Sequence, residues 1–252
     1  MGQVHLDIDG AVAVITLDNP AHHNAVDAPM RDGLARAYDQ IEADDALRVA
    51  IIRGAGTGSF CAGGSIDGYL EAGVFGPGAA HLPRIPRPSA SRKPYIAAMC
   101  GHALGGGFSL ALTCDIRVAG RGASMGPTGL KMGAVQGAET ITRLTRLIGQ
   151  SRATDVLLQS RRLSGEEAGA IGLVQHVIDD DAVMQTARHI AGRIAGFSPW
   201  TVQMTKELVS RTLDLTLEAS IAREDAVASE GYGRPDALEG FRAFKEKRKP
   251  RF

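Results

Sequence analysis

The chain has few cysteines, no net charge and no long apolar run. Its three cysteines, Cys61, Cys100 and Cys114, lack C-x-x-C spacing, which favours free thiols and a cytoplasmic location. Lys plus Arg and Asp plus Glu both number 28, so nothing in the charge indicates a nucleic-acid-binding protein. No apolar run reaches the roughly 18 residues of a membrane span, so we expect no membrane association.

Two familiar ligand sites are also missing. The glycines of Gly54-Ala-Gly-Thr-Gly58 follow a predicted strand, but a dinucleotide fingerprint needs a further glycine where Ser59 stands. His22 and His23 are adjacent, so on an extended segment their side chains point to opposite faces. We therefore predict neither a nicotinamide site nor a metal site.

Hydrophobic patterning predicts repeated strands and helices. Apolar alternation around Asp9-Gly10 predicts a β-hairpin, helical spacing predicts a helix over 27–44, and 48–53 reads as a buried strand. Strand, loop and helix repeat through the first 180 residues, as in stacked β/α units with parallel strands. Residues 67–92 contain many glycines and prolines and are predicted to form a mobile surface loop. Beyond Val183 the pattern is helical throughout.

Two glycine-rich turns each follow a predicted strand. The first is Phe60-Cys-Ala-Gly63-Gly64-Ser65, and the second is Gly101-His-Ala-Leu-Gly105-Gly106-Gly107, which opens an apolar helix. Glycine lets the backbone approach a ligand closely, and a helix start offers unpaired N–H groups. Two such groups converging on one oxygen form an oxyanion hole. Tight turns or close helix packing would also explain either cluster taken alone.

In this order and spacing, these turns give the sequence a resemblance to the crotonase superfamily, the enoyl-CoA hydratase/isomerase group. The matching stretches span nearly the whole chain: Asn19-Pro20 with Asn24-Ala25, Phe60 to Gly63, Lys93-Pro94 with Ile96-Ala-Ala98, Gly101 to Gly107 with Cys114-Asp115, Arg143-Leu-Thr with Ile148-Gly149, Gly172-Leu-Val174, and Phe244 to Pro250. The resemblance implies an α/β fold, a spiral of ββα units with a C-terminal helical trimerisation region. We accordingly divide the chain into a core at 1–195, which carries an acyl-CoA site, and a helical region at 196–252.

The resemblance also implies individual site residues. The oxyanion donors would be the backbone N–H groups of Gly64 and Gly106. The residues at positions that hold coenzyme A in relatives are Ala25, Gly63, Ile66, Phe244 and Lys247. A solvated basic tail is the alternative explanation for 245–251. Coenzyme A would be part of the substrate rather than a separate cofactor, and the assembly would be a homotrimer or homohexamer.

The chain departs from the family where a hydratase carries two catalytic glutamates. Ser109 stands at the first position, and Thr128 or Gly129 stands at the second, depending on whether one counts from Pro127 or from Gly133. Ser and Thr have no useful basicity near neutral pH, and losing one general acid or base typically costs about 10²–10⁴-fold in rate. The sequence therefore argues against hydration by the two-glutamate mechanism.

Other polar residues near these turns are candidates for proton transfer. Glu139, at the predicted start of a helix, is the tentative acid/base, although some relatives place an aspartate two residues earlier, at Gly137. The alternative is an acid favoured at a helix start by the dipole. Asp67 and Tyr69 could face the acyl group or be solvated loop residues. His102 could orient a water molecule or simply be packed.

Three functional hypotheses follow. The first is an enzyme that acts on an acyl-CoA through an enolate-like intermediate. The second is a non-catalytic protein of the same fold that binds or carries acyl-CoA. The third is a serine hydrolase built on Ser124 in a G-x-S-x-G motif, for which Pro127-Thr-Gly129 offers a poor helix start. The sequence favours the first.

Overall fold

A computed structural model describes the chain at residues 1–73, 75 and 83–252. The strands are β1 (Gln3–Asp9), β2 (Val12–Asp18), β3 (Val49–Gly54), β4 (Ser59–Cys61), β5 (Tyr95–Met99), β6 (His102–Leu104), β7 (Ile116–Gly120), β8 (Ser124–Gly126), β9 (Leu163–Ser164) and β10 (His176–Ile178). The α-helices are α1 (Ala28–Ala43), α2 (Ile66–Glu71), α3 (Gly106–Thr113), α4 (Thr140–Ile148), α5 (Gln150–Leu158), α6 (Gly165–Ala170), α7 (Val183–Ala195), α8 (Pro199–Arg211), α9 (Leu217–Tyr232) and α10 (Pro235–Lys245). This order confirms the predicted α/β class.

From β3 to β8, successive strands alternate between two sheets. The larger sheet has the order β1-β2-β3-β5-β7-β10 and the smaller one has the order β4-β6-β8-β9. β1 and β2 form the predicted antiparallel hairpin, whereas β2, β3, β5, β7 and β10 of the larger sheet are joined by parallel pairings. The pairs β3–β4, β5–β6 and β7–β8 each place one strand in each sheet before the chain enters a helix. The chain therefore winds as a spiral of ββα units, as the resemblance implied.

Strand β3 is apolar on both faces because both sides of the larger sheet are covered. Ala50 and Ile52 join the main hydrophobic core, which includes residues of α1, α3 and the smaller sheet. Val49 and Ile51 point the other way and pack with α7. This two-residue period is the geometry of a strand, and coverage of both faces is typical of parallel sheets.

The prediction of a loop over 67–92 is wrong at both ends of that range. α2 occupies the beginning, and its start is capped by the Ser65 side-chain oxygen, which accepts a hydrogen bond from the Gly68 N–H at 3.2 Å. A 3₁₀ turn occupies Pro88–Ala90 near the other end. α2 has six residues and none of them is fully buried, so its sequence shows no apolar periodicity. Residues 74 and 76–82 of the predicted loop lie outside the described residues.

A buried lysine ties the segment before β5 to the end of α1. Lys93 is 1% exposed, and its Nζ donates to the carbonyls of Ile41 at 2.5 Å and Asp44 at 2.6 Å. The last carbonyls of a helix have no partner within it, and a positive charge there interacts favourably with the helix dipole. Lys93 therefore fixes α1 relative to the larger sheet.

The region at 196–252 contains α8, α9 and α10, as the helical pattern predicted. An open groove of about 1480 Å³ separates these helices from α3 and α4. The larger apolar side chains that line it include Leu112, Leu147, Phe197, Val209, Phe241 and Phe244. No helix in the described part of the chain has both the length and the apolar character to cross a membrane. A role of this region in trimerisation stays a prediction.

Candidate active site

The first glycine turn is fixed by main-chain hydrogen bonds to the segment before α1. The N–H of Val26 donates to the carbonyl of Gly63 at 2.8 Å, and the N–H of Ser65 donates to the carbonyl of Val26 at 3.0 Å. Gly63 has a φ of 112°, a conformation that favours glycine. These bonds flank Gly64, whose own N–H makes no hydrogen bond to another described residue.

The second glycine turn joins β6 to α3. The N–H of Gly105 donates to the carbonyl of Gly126 in β8 at 3.0 Å, and Gly105 has a φ of 53°. Gly106 is the first residue of α3, so its N–H has no partner within the helix and lies at the positive end of the helix dipole. Almost every residue of α3 is buried, so the turn rests on a firmly packed helix.

The two turns touch through their backbones. A Cβ atom built on Gly63 would lie 3.1 Å from the amide nitrogen of Gly106, and one built on Gly106 would lie 3.5 Å from the amide nitrogen of Gly64. One built on Gly107 would lie only 2.0 Å from the carbonyl oxygen of Cys61. Gly63, by its φ of 112°, and Gly107, by the clash with Cys61, therefore favour glycine in this approach, which brings the Gly64 and Gly106 amides side by side. Two adjacent N–H groups of this kind are suited to bind one partly negative oxygen.

Two side chains lie beside the glycines that bear these amides. The phenol oxygen of Tyr69, in α2, would lie 2.1 Å from a Cβ built on Gly64, and Cδ1 of Ile85 would lie 2.8 Å from a Cβ built on Gly106. Burial raises the pKa of Tyr69, and the charge of Arg31 partly opposes this rise. The reading of Tyr69 as a solvated loop residue is therefore wrong, because its ring lies half-buried against a site glycine.

The Cys61 thiol at the end of β4 is not suited to act as a nucleophile. Its Sγ accepts a hydrogen bond from the N–H of Gly63 at 3.4 Å. Burial raises the pKa of the thiol to about 12, and the Gly63 hydrogen bond offsets only part of this rise. The group therefore stays protonated near neutral pH, whereas thiol nucleophiles react as thiolates.

Both positions expected to carry catalytic glutamates belong to one neutral hydrogen-bonded group. Ser109 is buried in α3, and its Oγ lies 2.5 Å from Oγ1 of Thr140. The Gln136 side chain joins the two positions: its Oε1 accepts from the N–H groups of Thr128 and Gly129 at 3.1 and 3.0 Å, and its Nε2 reaches Ser109 Oγ at 3.4 Å. Gln136 and Thr140 were not anticipated from the sequence. The group can position polar atoms, but none of its side chains is a carboxylate.

Glu139 precedes α4 and is held by three side chains. Its carboxylate accepts hydrogen bonds from Ser89 Oγ at 2.8 Å and Arg143 Nε at 2.7 Å, and Arg87 Nε lies 3.3 Å away. Partial burial alone would raise the pKa of Glu139, but the Arg143 and Ser89 hydrogen bonds and the two arginine charges outweigh it and hold the pKa below its usual value. Such a carboxylate is ionised and a weak base.

The surroundings of Glu139 differ from those of the glycine turns. Glu139 and Arg143 line the groove beside the C-terminal helices, whereas Gly64, Gly106 and Ser109 do not. Glu139 also has a φ of 64°, a left-handed conformation that is uncommon for a non-glycine residue. Its pairing and position favour the alternative of a structural acid at the helix start.

The remaining predicted residues lie in varied settings. Ala25 is half-buried beside the first glycine turn, and Ile66, the first residue of α2, is exposed. Phe244 is 86% exposed in α10, and Lys247 follows that helix with a φ of 54°. Nothing in the contacts of these four residues tests their predicted role toward coenzyme A. Asp67 is exposed.

His102 and Asp115, two further polar residues, contact other parts of the fold. His102 is half-buried and packs edge-on against His23, with ring centroids 5.8 Å apart. Asp115 accepts a hydrogen bond from the Tyr95 N–H at 2.7 Å and pairs with Lys206 at 2.9 Å. Asp115 therefore ties the start of β5 to α8, whereas a role of His102 in orienting a water molecule stays a prediction.

Ser124 does not occupy the turn that a serine hydrolase requires. It lies in strand β8, where it is paired with Ser164 of β9, and a 3₁₀ turn follows at Gly129–Met132. Among the described residues, no histidine makes a hydrogen bond with Ser124. A nucleophile elbow places its serine between a strand and an α-helix, next to a base. The structure therefore gives the hydrolase hypothesis no support.

The whole fold matches one family and its solved structures. The family described as Enoyl-CoA hydratase/isomerase matches residues 7–252. The enoyl-CoA hydratase of Bacillus anthracis superposes with a TM-score of 0.90 at 30% identity, covering 99% of this chain and 98% of that one. The enoyl-CoA hydratase of Mycobacterium tuberculosis H37Rv superposes with a TM-score of 0.90 at 31% identity, with the same coverage.

Similar sequences include hydratases with different named substrates. The chain is 34% identical to (E)-benzylidenesuccinyl-CoA hydratase of Thauera aromatica, covering 99% of this chain and 98% of that protein. It is 33% identical to the mitochondrial methylglutaconyl-CoA hydratase of Mus musculus, covering 98% of this chain and 82% of that protein. It is 32% identical to the short-chain-enoyl-CoA hydratase of Clostridium acetobutylicum, covering 99% and 97%. The relatives share a thioester of coenzyme A but differ in the acyl group.

Proposed function

We propose, since the chain belongs to the enoyl-CoA hydratase/isomerase family, that it binds an acyl-CoA and stabilises an enolate-like thioester oxygen with the amides of Gly64 and Gly106. The observation that carries this proposal is the side-by-side position of the two amides. A Cβ built on Gly106 would lie 3.5 Å from the amide nitrogen of Gly64. Coenzyme A enters as part of the substrate.

The proposed chemistry follows from where charge develops. When a nucleophile adds to the β-carbon of an enoyl thioester, or a proton leaves the α-carbon, electrons move onto the thioester oxygen. The Gly64 and Gly106 N–H groups would donate hydrogen bonds to that oxygen, and the start of α3 would add the field of its dipole. Removing one such donor typically costs about 2.7–4 kcal/mol of transition-state stabilisation.

We do not extend the proposal to ordinary hydration by two glutamates. That mechanism needs one carboxylate to activate water and a second to handle the proton at the α-carbon. Ser109, Thr128 and Gly129 stand at those positions, and Gln136 satisfies their hydrogen bonds with neutral groups. The proposed enzyme therefore acts on a thioester for which oxygen stabilisation matters more than a strong protein base.

A non-catalytic acyl-CoA-binding protein is the second candidate. The observation that favours it is the Ser109–Thr140–Gln136 group, which replaces both carboxylates with satisfied neutral hydrogen bonds. Such a protein would keep the oxyanion donors for affinity and show no turnover. We also keep, as proposals, a homotrimer or homohexamer and a contact of Phe244 and Lys247 with the nucleotide end of coenzyme A.

The decisive experiment removes one N–H group from the pair. Gly106→Pro deletes the donor at the first helical position, where proline is tolerated. Gly106→Ala keeps the donor and adds a Cβ, which the end of the Ile85 side chain, 2.8 Å away, has to make room for. Crotonyl-CoA labelled with ¹³C at the carbonyl would be bound to each protein. Calorimetry would give the affinity, and difference infrared spectroscopy would give the carbonyl stretch.

The proposal expects a lower carbonyl frequency in the wild-type complex and loss of most of that shift in Gly106→Pro, with a smaller loss in Gly106→Ala. A panel of acyl-CoA thioesters tested for turnover then separates the enzyme from the binding protein. Absence of affinity for every thioester in the panel would contradict both candidates.

A further inference from the structure

The phenol of Tyr69 lies directly on one of the two amide-bearing glycines. A Cβ built on Gly64 would lie 2.1 Å from the phenol oxygen and 2.5 Å from Cζ, so the hydroxyl end of the ring fills the space that a side chain would need. The ring is delivered by α2, which begins next to the first glycine turn. Position 64 therefore combines a main-chain donor with a neighbouring side-chain hydroxyl.

The backbone of α2 holds Tyr69 in this position. The N–H of Tyr69 donates to the carbonyl of Ser65 at 3.1 Å, and the Ser65 side chain caps the helix through Gly68. Ser65 itself is bonded to Val26, the residue that fixes Gly63. One short set of hydrogen bonds thus positions both the Gly64 amide and the Tyr69 ring.

The hydroxyl is chemically available as a donor. It makes no hydrogen bond to another residue in the described part of the chain, whereas the hydroxyl of Tyr38 donates to the Pro86 carbonyl at 3.4 Å. The Tyr69 ring is half-buried, and this burial raises the pKa of the phenol, so it keeps its proton near neutral pH. Ile85, whose Cδ1 lies beside Gly106, offers no such group.

We propose that Tyr69 is a catalytic residue that donates a third hydrogen bond to the thioester oxygen, beside the amides of Gly64 and Gly106. This inference rests on the proposed function. The phenol proton is not transferred. The Tyr69 O–H donates a hydrogen bond to the carbonyl oxygen as negative charge develops there, and the side chain stays a neutral phenol throughout. A third neutral donor suits a site that lacks both carboxylates, because it stabilises the enolate without acting as a base. A hydrogen bond to a charged group contributes roughly 1.5–3 kcal/mol, equivalent to about 10- to 150-fold in rate or affinity.

The test compares Tyr69→Phe with wild type, using crotonyl-CoA labelled with ¹³C at the carbonyl. Phe removes only the oxygen, and no described residue loses a hydrogen bond to that oxygen. We expect the carbonyl stretch of the bound thioester to move back part of the way toward its value in solution. For any thioester that the wild type turns over, kcat should fall about 10- to 150-fold with little change in KM. Tyr232→Phe, at a tyrosine that is 74% exposed in α9, is the matched control.

A second series keeps the test decisive if Tyr69→Phe binds poorly. Incorporation of 3-fluorotyrosine at position 69 makes the phenol a stronger donor with almost no change in shape. A further lowering of the carbonyl frequency at pH 6.5 is expected if the hydroxyl contacts the oxygen. An unchanged frequency in both variants would overturn the role of Tyr69 and leave the two-amide proposal intact. No shift of the carbonyl in wild type would instead overturn the proposed function itself.

Discussion

The candidate site has a main-chain half and a side-chain half. A substitution changes the chemical groups of the side-chain half directly, whereas the main-chain half consists of backbone amides that most substitutions leave in place. The main-chain half is the pair of amides at Gly64 and Gly106, held by direct contact between two turns. The side-chain half is the group around Gln136, where neutral residues occupy both carboxylate positions. Under the proposed function, different parts of the chain would bind the thioester oxygen and position the groups that handle protons.

The largest expected effect comes from disrupting the main-chain half. In Gly107→Ala, the new Cβ would lie 2.0 Å from the Cys61 carbonyl oxygen, so one of the two turns has to move. Overpacking of this kind costs about 1–3 kcal/mol, equivalent to roughly 2–12 °C in Tm for a chain of this size. Thermal unfolding and crotonyl-CoA calorimetry should show losses of both stability and affinity.

The matched control is a glycine whose added Cβ meets nothing. A Cβ built on Gly192, inside α7, has no neighbour within 4 Å. Ala is favoured over Gly within a helix by roughly 0.5–1 kcal/mol, so Gly192→Ala should raise Tm slightly and leave thioester affinity unchanged. If Gly107→Ala behaved like this control, the contact between the two turns would not be what holds the amides together.

The glycine pattern of the two turns was visible in the sequence, whereas the Gly64 and Gly106 N–H donors were assigned through the family resemblance and stay a prediction. Gly63 and Gly105 adopt left-handed or unusual φ values that favour glycine, and each follows a strand, so the pattern was visible in the sequence. The Asp9-Gly10 hairpin was predicted for the same reason. The strands β4, β6 and β8 were not predicted as separate strands, because three residues are too few to show apolar alternation.

The side-chain half could not be predicted in the same way. Gln136 lies 27 residues from Ser109 in sequence, and the contact between them exists only after β8 and α4 have packed. Arg87 and Ser89 reach Glu139 from a stretch with no periodic pattern. Contacts of this type depend on tertiary packing, so a single sequence carries no local signal for them.

A smaller effect on thioester affinity is expected from opening the side-chain half. Gln136→Ala leaves the N–H groups of Thr128 and Gly129 without their side-chain acceptor, which costs about 1–3 kcal/mol where water cannot replace it. Chemical denaturation would measure the loss, with Gln159→Ala as an exposed control expected to stay within about 0.5 kcal/mol. Thioester affinity should change less than in Gly107→Ala.

Gln136→Glu sharpens the same comparison. A carboxylate can still accept from both N–H groups, and the Ser109 hydroxyl can turn from the Gly105 carbonyl, to which it donates at 3.1 Å, to donate to the carboxylate. We expect much of the stability to return. If Gln136→Ala proved as stable as wild type, the hydrogen bonds around Gln136 would not be what joins the two carboxylate positions.

The smallest expected effect is at Glu139. Its pKa is held below the usual value, so the ion pairs with Arg143 and Arg87 stabilise the fold above the unfolded-state pKa, and this contribution disappears as pH falls through the folded-state pKa. Glu139→Gln should therefore cost about 1 kcal/mol or less at pH 7 and nothing in strong acid. Denaturation curves at several pH values would show this convergence.

A turnover measurement on Glu139→Gln could contradict the structural role of Glu139. A structural acid at the helix start predicts that kcat for any accepted thioester changes little in Glu139→Gln. A fall of about 10²-fold or more at unchanged Tm would instead identify Glu139 as the general acid or base. Glu139 would then have to be counted with the group around Gln136 as a carboxylate that serves the reaction.

The buried Lys93 has a consequence for a protein that handles thioesters. A thioester transfers its acyl group to an unprotonated amine, and burial lowers the pKa of Lys93, which would make it the more reactive type of lysine if it could be reached. Its hydrogen bonds to Ile41 and Asp44 and its 1% exposure keep it out of contact with solvent. The lysine that fixes α1 to the sheet is thereby shielded from covalent damage by the protein's own proposed ligand.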